Sequence, residues 1–153
     1  MNKKLSLEDF NIIKDIPLVW GDMDAFQHIN NIKYFRYFET ARIYYMEQLG
    51  FFEELISQTG VGPILAETSC KFITPLKYPD TISVGTRTTK ISDSEFFQEH
   101  LILSKNKQKN AAIGNAKIVA YDYYEQQRTQ LPQEIVEGIK KLDTNVEIDY
   151  SHL

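Results

Sequence analysis

Six polar side chains fall within one short stretch, WGDMDAFQHINN: Asp22, Asp24, Gln27, His28, Asn30 and Asn31. A carboxylate can take a proton from water or attack an electrophilic carbon itself. The asparagine pair marks a helix start, because a short side-chain oxygen accepts from the free amides of a first turn. Beyond it, Ile32, Phe35, Phe38, Ala41, Tyr45 and Leu49 recur at steps of three or four, which is helical spacing. Gly50 stands where such a helix would end. A helix N-terminus carries unpaired N–H groups and partial positive charge, so it can polarise a carbonyl oxygen. An acid carried beside that donor array is a hydrolytic arrangement. Asp22 and Asp24 read equally well as loop and capping residues, and spacing alone leaves both readings open. Asp22 is the better strand-end hydrogen-bond acceptor.

Other reactive residue types form weaker patterns. A single His28 before a helix reads as a structural or ligand-contact residue, and a catalytic role is the alternative. His100 falls in a strand and His152 in the tail, with no metal-ligand spacing between them. Glu67 follows the TGVGP breaker run and could face the site. Glu39 and Arg42, three apart, read as a helix ion pair. Tyr34, Tyr37, Tyr44 and Tyr45 serve a core, a subunit contact or an acyl pocket. No nucleophile elbow and no glycine-rich phosphate loop is present.

The elements that must position these groups follow in order. Residues 1–14 read as a polar lead-in, and Ile16 to Trp20 as a first strand with Pro17 near its start. After the long helix, Phe51 to Ser57 forms a further helical turn. Strands are expected over Ile64–Thr74, Thr81–Ile91, Phe96–Leu103 and Ala111–Tyr121, with a polar turn at Lys105–Asn110. Leu131 and Pro132 introduce a last helix over Gln133–Lys141, and a polar, irregular tail begins at Asp143. An early helix followed by four closely linked strands implies an α+β domain with an antiparallel sheet. That helix is apolar over most of its circumference, which calls for burial against a curved sheet.

The 153 residues suffice for one domain with a real core, 1–153, with 1–14 and 143–153 as peripheral tails. The chain is 42% hydrophobic and 25% charged, with a net charge of −4 and a pI near 5.4. That balance fits a soluble globular chain and lacks the basic footprint of a nucleic-acid binder. A lone cysteine, Cys70, excludes an intrachain disulfide. The start MNKKLSLEDF lacks the apolar run of a signal peptide, and no stretch approaches the roughly 20 apolar residues of a membrane helix. A cytoplasmic protein is expected, without membrane or nucleic-acid partners.

The stretch resembles the start of the hotdog-fold acyl-CoA thioesterases, the 4-hydroxybenzoyl-CoA thioesterase-like group. Their pattern is Asp, any residue, Asp, then Gly-His-Val-Asn-Asn, an aromatic pair and Glu-x-Ala-Arg. Here Asp22, Asp24, His28, Ile29, Asn30, Asn31, Tyr34, Tyr37, Glu39, Ala41 and Arg42 stand in that order and spacing. Gln27 replaces the glycine, so the loop is expected to take another shape, with Gln27 near the site entrance. PILAETSCKFITPLKYPDTI, residues 63–82, is similar to the family's second strand and the turn after it. AYDYYEQQRTQLPQEI, residues 120–135, is similar to its last strand and Pro-initiated helix.

The resemblance implies a hotdog fold, an antiparallel β-sheet wrapped around one long central helix. It implies hydrolysis of an acyl-CoA or acyl-carrier-protein thioester, with coenzyme A as part of the substrate, no separate cofactor and no metal. Asp24 falls on the catalytic carboxylate, as base or nucleophile, and the backbone N–H near Asn31 on the oxyanion donor. His28 and Glu67 are the reserve catalytic candidates. Phe26, Gln27, Asn30, Tyr34 and Lys90 are the substrate-contact candidates. A homodimer or homotetramer with the site between subunits is implied. The prototype's basic run between the third and fourth strands is replaced by ISDSE, residues 91–95, with Lys90 before it. Lys71, Lys77 or Arg87 could take its place, or the donor could be a carrier protein. A hotdog hydratase would have a longer Asp-to-His gap with an Asn-Pro in it. A non-catalytic acyl-CoA sensor would carry an added DNA-binding segment.

Overall fold

The computed structural model describes residues 4–50 and 52–150. Five strands form the sheet in the order β1 (Ile12–Pro17), β3 (Thr81–Ile91), β4 (Glu95–Ser104), β5 (Lys109–Asp122) and β2 (Val61–Phe72). Two short strands extend it, β6 (Gln127–Arg128) on β5 and β7 (Glu147–Ile148) on β3. The helices are α1 (Asn31–Glu47), α2 (Phe52–Thr59) and α3 (Gln133–Leu142). β1 runs antiparallel to β3, and β3–β4 and β4–β5 are joined by links of three and four residues. The architecture is the α+β antiparallel arrangement that the strand spacing implies; β7 runs parallel to β3.

The chain comprises two compact units. The first holds residues up to Tyr44, Cys70–Thr86 and His100–Gly114; the second holds Tyr45–Ser69, Arg87–Glu99 and the residues from Asn115 on.

In the first unit the opening turns of α1 pack into the core. Tyr34, Tyr37, Phe38 and Ala41 are buried with Ile82, Val84 and Ile102 of the strands. A Cβ on Gly114 would lie 2.6 Å from the Phe38 ring, so the bare strand position is what admits the helix. Ile32 and Phe35, expected on the inner face, are 67% and 37% exposed. Steps of three and four fit several phases on a helix that is apolar nearly all round, so the pattern could not set which arc is buried. The expected Glu39–Arg42 pair is also replaced. Glu39 meets Arg36 at 3.5 Å, whereas Arg42, one turn beyond Phe38, is buried. Its Nε has no hydrogen-bond partner among the described residues, and burial lowers its pKa.

The first strand begins and ends earlier than expected. Ile12 to Pro17 pair with Thr86 to Thr81, and Pro17 closes the strand. A 3-10 turn, Trp20–Asp22, takes the place of its far end. Within the expected lead-in, Ser6 and Asp9 form a reciprocal cap on a 3-10 turn, Leu7–Asp9. Residues 1–3 lie outside the described residues, as do Phe51 and the tail's His152.

In the second unit α1 continues to Glu47, with Tyr45 fully buried. Gly50 has φ +81, the left-handed conformation that ends a helix and suits glycine. α3 buries Ile135, Val136 and Ile139. The tail is more ordered than its polarity implied. Asp143 is buried and accepts from the Tyr45 hydroxyl at 2.5 Å and the Thr88 amide at 2.9 Å. Glu147 and Ile148 then pair with Lys90 and Ile91.

Candidate active site

The loop from Asp22 to Asn30 closes on itself, because its polar side chains and amides find partners inside it. The Asp24 amide donates to the His28 carbonyl and the Gln27 amide to the Asp24 carbonyl, each at 2.9 Å. The Phe26 amide donates to Asp24 Oδ1 at 2.9 Å, an Asx turn. Met23 and Ile29 form an isolated bridge across the loop. Its base is tied by Asn30 N–H to the Asp22 carbonyl at 3.0 Å, and by Ile29 N–H to the Leu76 carbonyl at 2.8 Å.

Gln27 closes the turn with φ +61. The different loop shape expected from a non-glycine does not occur. The chain keeps the left-handed conformation at a cost of about 1 kcal/mol, held by the bonds around Asp24. Gln27 is exposed and is not part of the cleft wall beside it.

This closure brings Asp24 and Asn31, seven residues apart, to one cleft of ≈ 330 Å³ within the first unit. That size falls in the range of about 300–1,000 Å³ typical of small-molecule sites. Asp24, Phe26, His28 and Asn31 form one wall. The other is Phe72 to Pro75, just past the end of β2. The helix start is capped as the asparagine pair implied. Asn30 Oδ1 accepts from Ile32 N–H at 3.1 Å and its carbonyl from Lys33 N–H at 2.9 Å. The Asn31 N–H meets no acceptor among the described residues. One Asp24 oxygen is engaged by Phe26, while Oδ2 has no hydrogen bond among the described residues.

Tyr34 also lines the cleft. It is buried and meets Phe72 edge-on at 4.9 Å. Burial raises its pKa. Phe26 is 84% exposed on the rim. Asn30 spends its side chain on the cap and is not in the wall. Asp22 is the acceptor it was read to be, but from a 3-10 turn: Tyr37 Oη donates to Oδ2 at 3.2 Å, and Lys33 lies 3.7 Å from Oδ1. Cys70 is half-buried, and burial pushes its thiol up to about 11, which leaves it protonated and unreactive.

Glu67 and Lys90 lie in the second unit and line another cleft, with Phe97 and Lys117. Lys90 is engaged by Asp149 at 3.2 Å. Arg87 is clasped by Glu99 at 2.7 and 2.9 Å. Lys71 and Lys77 are exposed on either side, in sequence, of the Phe72–Pro75 wall. Lys107 donates to the Pro75 carbonyl at 2.7 Å. The second wall and Lys107 escaped the sequence reading. The signal for the wall was an apolar pair, Phe72 and Ile73, running up to the breaker Pro75. Lys107 sits in a turn thirty-two residues later in the chain, with no local sign of where it folds. Among the described residues, no three of His, Cys, Asp and Glu gather so as to hold a metal ion. Likewise no helix is long and apolar enough to cross a membrane.

Comparison with known proteins bears on this geometry. The family model of the thioesterase-like superfamily matches residues 18–139. A protein of Aquifex aeolicus (strain VF5), provisionally named an esterase, is 27% identical over 125 residues, 78% of this chain and 90% of that one. A chloroplastic acyl-acyl carrier protein thioesterase of Arabidopsis thaliana is 26% identical over 81 residues, 53% of this chain and 43% of that one. A thioesterase from Thermus thermophilus, solved in complex with coenzyme A and Zn, superposes with a TM-score of 0.77 at 26% identity. That match covers 90% of this chain and 98% of the other.

Proposed function

The chain belongs to the thioesterase-like superfamily, and from that premise we propose that it hydrolyses an acyl-CoA thioester at the cleft that Asp24 and Asn31 line. Its fold is the hotdog fold and its enzyme class is thioester hydrolase. One observation carries the assignment to this cleft: a carboxylate with a free oxygen and a helix-start amide with no acceptor line the same opening.

The chemistry follows from that pairing. The thioester carbonyl oxygen takes the Asn31 N–H, which strengthens as negative charge develops on that oxygen. Asp24 Oδ2 either removes a proton from the attacking water or adds to the carbonyl carbon itself. In the first case, collapse of the tetrahedral species expels the thiolate, which takes up a proton, and leaves the free acid. In the second, a mixed anhydride forms as the thiolate departs, and water then cleaves it. Phe26, Phe72 and the Tyr34 ring supply apolar contact for the acyl group. His28 lines the same opening and is available to orient water or thiol. The reaction draws on no cofactor, and coenzyme A enters as substrate.

Coenzyme A as the donor is supported by the Thermus thermophilus relative, and Lys71, Lys77 and Lys107 near the second wall are suited to its phosphates. A carrier-protein donor is supported by the Arabidopsis thaliana relative. The working enzyme is a homodimer or homotetramer in this reading. β2, twelve residues long, stands at one end of the strand order with Leu65 and Phe72 exposed. A cytoplasmic location accords with the unpaired Cys70.

Thiol release from a panel of acyl-CoA and acyl-carrier-protein thioesters tests the reading. Asp24→Asn, which keeps the shape but removes the anion, should lower turnover at least about a hundredfold. A variant retaining more than about a tenth of wild-type turnover would remove Asp24 from the mechanism. Sedimentation of a fully active monomer would remove the oligomer.

A further inference from the structure

Asp22 does not line the cleft, yet it touches the chain on both sides of Asn31. Its carbonyl accepts from Asn30 N–H at 3.0 Å. Its Oδ2 accepts from Tyr37 Oη at 3.2 Å, and its Oδ1 lies 3.7 Å from Lys33 Nζ. Tyr37 is almost fully buried, so its hydroxyl needs an acceptor inside the protein, and Asp22 is the acceptor it has. The Lys33 contact is longer and partly exposed, and so contributes little.

We propose that Asp22 is the positioning residue of the site, bracketing the first two turns of α1 through Asn30 and Tyr37 so that the Asn31 N–H keeps a fixed direction.

Helix ends fray, and an oxyanion donor that wanders by a fraction of an ångström loses most of its effect on the transition state. Capping by Asn30 alone ties the helix start to itself. The Asp22 bracket ties it to the 3-10 turn that leads into the Asp24 loop. Because Asp22 O and Oδ2 belong to one residue, movement of the loop base and of the second helical turn are coupled. Asp24, two residues further on, is placed by the same anchor. The role acts on the transition state through Asn31 and leaves the apolar walls alone, so it belongs to kcat and not to KM.

The inference rests on the hydrolase reading, and its test separates the two. Asp22→Ala, Asp22→Asn, Tyr37→Phe and the Ala/Phe double variant are compared by kcat, KM and amide exchange at Asn30 and Ile32. Asp22→Ala should lower kcat about ten- to a hundredfold with KM within about threefold. Asp22→Asn, which still offers Tyr37 an oxygen, should recover most of that loss. The double variant should be no worse than Asp22→Ala, because both changes break one contact. Exchange at Asn30 and Ile32, the hydrogen-bonded amides on either side of Asn31, should quicken in Asp22→Ala and Tyr37→Phe. Unchanged kcat in Asp22→Ala, or single effects that multiply in the double variant, would overturn the inference. A wild-type protein that releases no thiol from any substrate would overturn the hydrolase reading instead. Exchange then decides the positioning role alone, and unaltered exchange in Asp22→Ala refutes it.

Discussion

The Tyr45 hydroxyl donates to Asp143 at 2.5 Å across 98 residues of sequence. The same carboxylate oxygen accepts the Thr88 amide, and Thr88 Oγ1 donates to Tyr45 Oη at 2.9 Å. Burial and the neighbouring Asp143 charge together push the phenol's pKa upward, so it remains a donor at any working pH. Asp143→Ala orphans two buried donors at once and should cost about 2–4 kcal/mol, against about 1–2 kcal/mol for Tyr45→Phe. Urea unfolding of the two variants checks the ranking. An Asp143→Ala protein as stable as wild type would mean that the tail is not held by this contact.

His100 supplies an acid-sensitive element. It is wholly buried, stacks on Phe38 with centroids 5.0 Å apart and meets Thr86 Oγ1 at 2.9 Å through Nδ1. Burial, aided by the Arg42 charge, lowers its pKa to about 3. The unfolded chain binds that proton from near pH 6.5 downward and the folded one does not. Stability conferred by the neutral ring is therefore complete above pH 6.5 and lost progressively toward pH 3. The slope should approach about 1.4 kcal/mol per pH unit. Unfolding midpoints measured between pH 7 and pH 4 should fall more steeply for wild type than for His100→Gln, and parallel curves would exclude His100 as the cause.

Asn31 acts by its amide and not by its side chain, and two substitutions distinguish these. Proline is well tolerated at the first helical position, so Asn31→Pro should fold while lacking the N–H. Its turnover should fall by about a hundredfold or more, the scale of one lost oxyanion donor. Asn31→Ala keeps the amide and should fall at least about ten times less. Equal losses in the two variants would place the oxyanion elsewhere.

The left-handed Gln27 should be improvable. Gln27→Gly removes the Cβ strain at φ +61 and should raise stability by about 0.5–1 kcal/mol, less the extra freedom that glycine gives the unfolded chain. Gln27→Val, with a branched Cβ, should lower it. Thermal midpoints of the three proteins in that order, Gly above Gln above Val, are the expected result.

Much of this chain is legible one residue at a time. Asn30 caps α1 and Gly50 ends it because caps and left-handed stops depend on the residue itself and its immediate neighbours. Thr81–Ile91 forms the strand its β-branched run predicts, and the Asp24 loop sits where short polar residues break the pattern. Family membership was legible for the same reason, since the Asp22-to-Arg42 pattern is contiguous. What remained closed to that reading depends on partners far along the chain. Which arc of α1 is buried, Tyr34 rather than Ile32, is settled by what the strands offer it, such as the bare Gly114 beneath Phe38. Asp143 looked like the start of a loose tail because nothing nearby accounts for a buried carboxylate; Tyr45 and Thr88 do. The second wall of the cleft, Phe72 to Pro75, meets Asp24 and Asn31 only after the chain has returned through the sheet. Local propensity fixes elements and their ends, while burial and polar satisfaction are properties of the packed chain, and only the tertiary structure could decide them.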